Sequence, residues 1–248
     1  MSTLFIGQNK IELLTVDSTN NFAANLIKET NVLDGTVIMA EHQTNGKGQS
    51  GNSWFSHPKL NLTCSYILRP TFLKIEDQFY LSMVTSLAVT RTLSELGIKS
   101  VIKWPNDILV ESKKIAGILI ENSVQKNRFS HSIIGIGFNV NQTDFMSEVN
   151  ATSIKTLLKS NMDPIAIQLS LNEQLEKYYI QLKSGNTNGL KKQYMSMLFQ
   201  YKQEHWYEVV PSGEQFKGVI TDIQPTGALI IYSEGTEKTF YSKEVKFI

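Results

Sequence analysis

The clearest alternation in the chain runs from Leu60 to Leu68, where Leu60, Leu62, Cys64, Tyr66 and Leu68 fall on one side of an extended segment. A period of two predicts a β-strand with one face in a core. Between Glu76 and Leu96 the period lengthens. Tyr80, Met83, Val84, Leu87 and Ala88 form the stripe of an amphipathic helix, and Gly97 is its stop signal. Upstream, Lys10–Val16 and Thr36–His42 read as strands, Phe22–Glu29 as a helix and Asp34-Gly35 as a turn. Further on, Lys99–Lys103 is a short strand. Ile108–Val110 and Ile115–Ser123 form a hairpin around Glu111-Ser112-Lys113, and Ser130–Val140 is another strand.

After residue 141 the pattern turns helical. Asp163-Pro164 is an N-cap followed by proline at the first helical position, and Leu171, Leu175, Tyr178, Tyr179 and Leu182 make a stripe. Gly185–Gly189 breaks that helix, and Leu190, Tyr194, Met197, Leu198 and Tyr201 make the next. From His205 onward the chain changes to short strands, Tyr207–Val210, Phe216–Ile223, Leu229–Tyr232 and Thr239–Tyr241, separated by Gly-containing turns. Mainly antiparallel strands with interspersed helices predict an α+β fold. The change in pattern divides it into a main domain, residues 1–203, and a small β-barrel, residues 204–248.

Composition adds exclusions. The chain has 248 residues, 41% apolar and 19% charged, with a formal net charge of +1. That balance gives no global attraction to nucleic acid or to an anionic membrane, so any anion site must be local. Cys64 is the single cysteine, which rules out an internal disulfide and suits a reducing compartment. Its alternating apolar surroundings read as a buried thiol. No apolar run is long enough to cross a membrane, and Met1 to Leu14 lacks the basic and apolar segments of a signal peptide. A cytoplasmic protein is expected.

Chemistry concentrates in residues 103–121. A rigid polar corner, Trp104-Pro105-Asn106-Asp107, sits between two β-like runs and is followed by Lys114 and Gly117. An aromatic, an amide, a carboxylate and an ammonium so close together are not what a plain buried sheet requires. Asp17-Ser18-Thr19-Asn20 is a cluster of helix-capping residues, whose hydroxyls can cap or can hold a polar ligand at a strand-to-helix junction. Thr44–Trp54 carries Gly46, Gly48 and Gly51 together with Lys47, a spacing that lets backbone amides approach phosphates. It matches neither the P-loop nor the dinucleotide fingerprint. Gly135 and Gly137, inside a strand, imply close approach of a backbone or a ligand.

These residues carry a resemblance. Lys103-Trp104-Pro105-Asn106-Asp107, Lys114-Ile115-Ala116-Gly117-Ile118-Leu119 and Gly135-Ile136-Gly137-Phe138-Asn139-Val140 resemble the motif series of biotin protein ligases. Ser18-Thr19-Asn20 and Gly46-Lys47-Gly48-Gln49-Ser50-Gly51-Asn52-Ser53-Trp54 stand in order at the places of two further motifs. Five motifs in sequence, covering essentially the whole chain, make the resemblance specific. It implies a catalytic domain like that of class II aminoacyl-tRNA synthetases followed by an SH3-like barrel. The implied activity has two steps. Biotin and MgATP give biotinyl-AMP and pyrophosphate, then a lysine of a biotin carboxyl carrier protein or domain displaces AMP.

The resemblance also implies roles. Lys114 is the expected catalytic cation, bridging the biotin carboxylate and the α-phosphate. Biotin contacts are expected from Ser18, Thr19, Asn20, Gln43, Gly46, Lys47, Gly48, Gly117 and Gly137, besides Lys114. Nucleotide contacts are expected from Lys47, Gln49, Asn52, Trp54, Lys103, Asn106 and Asn139, and a Mg²⁺ contact from Asp107. ATP and Mg²⁺ are the implied co-reactants, with no prosthetic group. The chain departs from the family pattern in its glycine loop, where Lys47, Gln49 and Asn52 stand at positions that are usually arginine. A looser hold on the acyl-adenylate is expected from that difference.

Lipoate and octanoate ligases or transferases share the related fold, and a non-catalytic biotin-binding protein is the non-enzyme alternative. Only about ten residues precede the first strand, so no DNA-reading helix-turn-helix and no repressor role are expected. Homodimer formation through an exposed sheet edge or face is compatible with the resemblance.

Overall fold

A computed structural model describes residues 3–146 and 149–248. The chain runs β1 (Lys10–Val16), α1 (Thr19–Glu29), β2 (Thr36–Gln43), β3 (Leu62–Leu68), α2 (Phe79–Glu95), β4 (Val101–Lys103), β5 (Asp107–Val110), β6 (Lys113–Gln125) and β7 (Arg128–Phe138). Then follow α3 (Ile154–Leu158), α4 (Pro164–Lys183), α5 (Thr187–Ser196), β8 (Glu204–Val209), β9 (Gln215–Ile223), β10 (Leu229–Ser233), β11 (Thr236–Phe240) and β12 (Val245–Phe247). Seven strands form one sheet in the order β1-β2-β3-β7-β6-β5-β4, and five form a second in the order β11-β10-β9-β8-β12. Among the described strands β1 and β2 pair in parallel and the other strand pairs are antiparallel. This is the expected mixed α+β sheet beside a small all-β unit.

The large sheet is covered on both faces. Cys64, Tyr66, Ile134, Ile136 and Ile118 meet α2 and α4 in the main core. On the other face Ile38, Ile67 and Ile133 pack with Ala23 of α1 in a smaller cluster. The alternation in β3 predicts one buried face, yet all its residues are buried. Ser65 and Ile67 lie beneath α1, and the Thr63 hydroxyl donates to Ala40 O of β2, so a central strand here carries polar residues without exposing them. Sequence alternation reports polarity, and burial depends on what lies above.

The terminal elements differ from expectation in two places. Gly189 lies inside α5 instead of breaking a helix, and α5 ends at Ser196, so Met197, Leu198 and Tyr201 follow it in irregular chain. The small sheet gains an edge strand, β12, beside β8, from residues too few to show a period. No helix among the described residues is long and apolar enough to cross a membrane.

The barrel is not a loose appendage. Tyr207, Phe216, Ile220 and Leu229 belong to the same apolar cluster as α2 and α4. Trp104, expected to serve the chemistry of the polar corner, is 3% exposed and donates its indole N–H to the Gly227 carbonyl oxygen at 2.9 Å. It fastens the barrel to the sheet. The adjoining Phe79 N–H donates to Pro225 O at 3.0 Å, which extends the same joint. Replacing Trp104 with Phe keeps most of the buried ring and removes the indole N–H. The expected loss is about 1 kcal/mol, read as an earlier midpoint in urea unfolding; an unchanged midpoint contradicts the joint.

Candidate active site

The polar corner is positioned by a β-bulge. Leu109 pairs with Lys114 and Ile108 with Ala116, so Ile115 is an extra residue in β6. Without it Lys114 and Gly117, three apart, would face opposite sides of the sheet. With it Ile115 and Ala116 both enter the core, while Lys114 and Gly117 both line a cavity on the α1 face. The two-residue turn before it, Glu111-Ser112, has left-handed backbone at φ 50 and 62, the geometry a tight hairpin requires.

The Lys114 ammonium lies 2.6 Å from the Asp107 carboxylate and 5.5 Å from the centroid of the Trp54 ring. Its backbone is fixed as well. Lys114 N–H donates to Asn150 O at 2.9 Å, and Lys114 O accepts from Thr152 N–H at 2.9 Å. The cavity around it measures about 240 Å³, small for a site that takes a ligand of drug size.

Most residues expected at the site converge on this cavity. Ser18, Thr19, Asn20 and Gln43 line one end; Lys47, Gly48, Gln49, Asn52 and Trp54 come from the glycine loop. Asn106, Asp107, Lys114, Gly117 and Gly137 complete the opposite wall and floor. Ser18 is the N-cap residue of α1 but makes no side-chain capping bond, so its hydroxyl is not spent on the helix. Gln43 Oε1 accepts from the Thr19 N–H at 2.8 Å and lies 3.0 Å from Thr19 Oγ1. That fixes the amide with its NH₂ turned outward.

Three expected residues are placed otherwise. The Lys103 ammonium lies over the Phe247 ring of β12, 5.5 Å from its centroid, and does not line the cavity. A cation–π contact holds it to the barrel. Asn139 is 3% exposed, and its Nδ2 donates to Thr152 O at 3.1 Å and to Lys114 O at 3.4 Å. It holds the backbone around Lys114 and does not line the cavity. Gly46 does not line the cavity either. A Cβ there would stand 2.3 Å from Trp54 O, so this glycine lets the returning loop pass.

The glycine loop has an anchor that its sequence hides. Lys47 pairs with Ser53 across an isolated bridge, Gly48 N–H donates to Asn52 O at 2.7 Å, and Trp54 N–H donates to Gly46 O at 2.8 Å. The Trp54 indole then lies on the glycine floor, where a Cβ on Gly137 would come 2.2 Å from its ring. Its Nε1 is buried without a hydrogen-bond partner. The loop is therefore tethered by stacking, and the room expected above Gly137 is filled by indole. Cys64 also borders the cavity, but burial pushes its thiol up to about 12, which removes it as a nucleophile.

Ser242 and Lys243, from the turn after β11, line the cavity too. They lie far along the chain from every motif, and nothing local in the sequence marks them. Ser65 was passed over for the opposite reason, as one polar position in an alternating strand; its Oγ lies 2.7 Å from Thr19 Oγ1 and 2.6 Å from Asn20 Oδ1.

The large sheet and the small C-terminal sheet together recur in solved structures. The structure of biotin protein ligase from Aquifex aeolicus in complex with biotin and ATP is similar over 97% of this chain and 100% of that one, with a TM-score of 0.81 and 28% identity. Residues 13–139 match the Biotin/lipoate A/B protein ligase family, and the chain belongs to that family. A curated relative, the bifunctional ligase/repressor BirA of Bacillus subtilis (strain 168), is 34% identical over 72% of this chain and 56% of its own length. The biotin--[acetyl-CoA-carboxylase] ligase of Mycobacterium tuberculosis is 29% identical over 80% of this chain and 74% of its own. This chain thus spans little more than half the length of the Bacillus relatives.

Substituting Ala for Gly137 must displace the Trp54 indole. The expected result is a red-shifted tryptophan emission that is absent when Trp54→Phe is the background. Identical spectra for Gly137→Ala and the parent protein contradict the stacked loop.

Proposed function

We propose that the chain is an ATP-dependent biotin protein ligase. It activates biotin to biotinyl-5'-AMP, with pyrophosphate released, and then passes the biotinyl group to a lysine of a biotin carboxyl carrier domain. The observation that carries this reading is the Lys114 ammonium, ion-paired with Asp107 at 2.6 Å, in the same cavity as the Thr19–Gln43 pair. The family and the names of the relatives support it.

The chemistry follows from these placements. The cyclic urea of biotin lies against Thr19 and Gln43, which offer an acceptor and a donor, and its acyl chain runs over Gly117. In the first step a carboxylate oxygen forms a bond to the α-phosphorus and the α–β bridging bond breaks. Both reactants are anions, and the Lys114 ammonium offsets their repulsion and the charge that builds as they meet. Asp107 keeps that ammonium turned to the cavity. In the second step a neutral carrier amine attacks the acyl carbon, the bond to phosphate breaks, AMP leaves and the nitrogen gives up one proton to solvent. Lys114 again lies where the departing phosphate gathers charge. Trp54 leaves Gly137 as ligands enter and stacks on adenine.

Mg²⁺ accompanies the triphosphate. Among the described residues no group of three His, Cys, Asp or Glu side chains converges. A magnesium ion on phosphates needs only one or two carboxylates, and Asp107 is the one carboxylate lining the cavity among the described residues. It would hold the ion, which when bound neutralises phosphate charge. Residues 1–203 form the catalytic unit and 204–248 the barrel in this reading, with Ser242 and Lys243 reaching back to the site.

The direct test is transfer of labelled biotin to a carrier domain, with biotin-dependent release of pyrophosphate. Titration with biotin and with lipoate separates this reading from a lipoate ligase. Binding of biotin without pyrophosphate release would leave only a biotin-binding protein. The loop departures give a further expectation. Gln49 lines the cavity as an uncharged amide, so Gln49→Arg is expected to slow loss of biotinyl-AMP by about tenfold, the worth of one charge-assisted bond. Equal or faster release from the arginine variant contradicts it.

A further inference from the structure

We infer that Lys243, on the turn after β11, binds the outermost phosphate of the nucleotide, so that the small barrel completes the nucleotide site. The inference rests on the ligase reading and adds the residue that meets the tail of the triphosphate. Space gives the direction. The cavity around Lys114 measures about 240 Å³, and a second hollow of about 320 Å³ adjoins it, with Gln49, Asn106 and Ser242 in both walls. Thr226, Gly227 and Tyr241 of the barrel wall the second hollow, while Ser18, Thr19 and Gln43 do not. The junction therefore lies away from the Thr19–Gln43 end. An in-line displacement at the α-phosphorus sets the attacking carboxylate and the leaving pyrophosphate on opposite sides of it. With the cyclic urea at Thr19 and Gln43 and the α-phosphate at Lys114, the outer phosphates run toward the junction.

Charge then selects the residue. Among the described residues that line the cavity, the cations are Lys47, Lys114 and Lys243. Lys114 is paired with Asp107 at 2.6 Å. Lys47 lies toward the other end: the Asp17 carboxyl, next to Ser18, is held below its ordinary range by the Asn21 amide and, in smaller part, by the Lys47 ammonium. The described lining of the second hollow carries no charged side chain. Lys243 follows Ser242 at the junction and brings a cation to the outer phosphates, where Gln49 and Asn52 of the glycine loop bring none.

The barrel holds this lysine in place. Glu244 Oε2 accepts the Tyr241 N–H at 2.7 Å, Glu244 N–H donates to Tyr241 O at 3.0 Å, and Val210 N–H donates to Glu244 O at 2.8 Å. Lys243 sits in that fastened turn at φ 73, left-handed backbone that glycine adopts more readily. The barrel is joined to the sheet through Trp104 and Phe79.

The outermost phosphate bears the same charge before and during the reaction, so its contact acts on binding and not on the chemical step. Lys243→Gln is expected to raise KM for MgATP about tenfold, with kcat and the Kd for biotin within about twofold of the parent. Lys243→Gly separates charge from fold. It relieves the turn, so its urea midpoint is expected to be no lower than the parent's, while its KM rises as in the glutamine variant. Lys217→Gln removes the same charge from a barrel position outside the cavity and is expected to leave KM unchanged. A parental KM in Lys243→Gln or Lys243→Gly overturns the inference, and so does a loss of biotin affinity as large as the loss for MgATP. Titration with tripolyphosphate reads the contact without catalysis. A parent protein that gives no biotin-dependent pyrophosphate release overturns the ligase reading. Tighter tripolyphosphate binding by the parent than by Lys243→Gln then still supports the anion contact, and equal binding overturns it.

Discussion

The contact between Asp107 and Lys114 is the constraint around which the site is built. An ammonium at the mouth of a cavity in a sheet would turn to water if nothing held it. Here the hairpin brings the two residues onto adjoining strands, the bulge at Ile115 gives them the same face, and the carboxylate keeps the amine directed at the cavity. Asn139 and the segment at Thr152 brace the backbone from behind. Such preorganisation matters because a charge aimed before the reaction need not reorganise during it.

The polar end of the cavity follows the same logic with neutral groups. Thr19, Ser65 and Asn20 are each nearly fully buried, and each finds its partner in another of them or in Gln43 and Glu121. A buried polar group without a partner is costly, so a connected chain is what makes these residues tolerable beneath α1. The cost returns as selectivity: a ligand that fails to complete the chain leaves groups unpaired. Trp54 Nε1 is a buried group with no such partner, consistent with a ring that has another place to go.

Much of this could be read in the sequence, because short motifs with fixed spacing report local geometry. Lys114, Asp107, Thr19 and Gln43 fell together as the order of the motifs implied, and the strand and helix succession gave the fold class. What escaped was non-local or register-dependent. Lys103 adjoins the corner and Trp104 opens it, but their side chains serve the barrel, and only the packing of that barrel decides so. Asn139 sits in a motif yet supports Lys114 through backbone contacts. Ser242 and Lys243 reach the cavity from the far end of the chain. The bulge itself has no residue signature; it appears only when β5 and β6 are paired.

The most direct test of the account is the rate of biotin-dependent exchange of pyrophosphate into ATP, measured for Lys114→Gln beside Lys113→Gln. Lys113 is the exposed neighbour that does not line the cavity, and its variant should exchange like the parent. Lys114→Gln should lose about a hundredfold to a thousandfold, the worth of one preorganised transition-state contact. Exchange that survives the neutral residue at position 114 contradicts the claim that this cation joins the two anions.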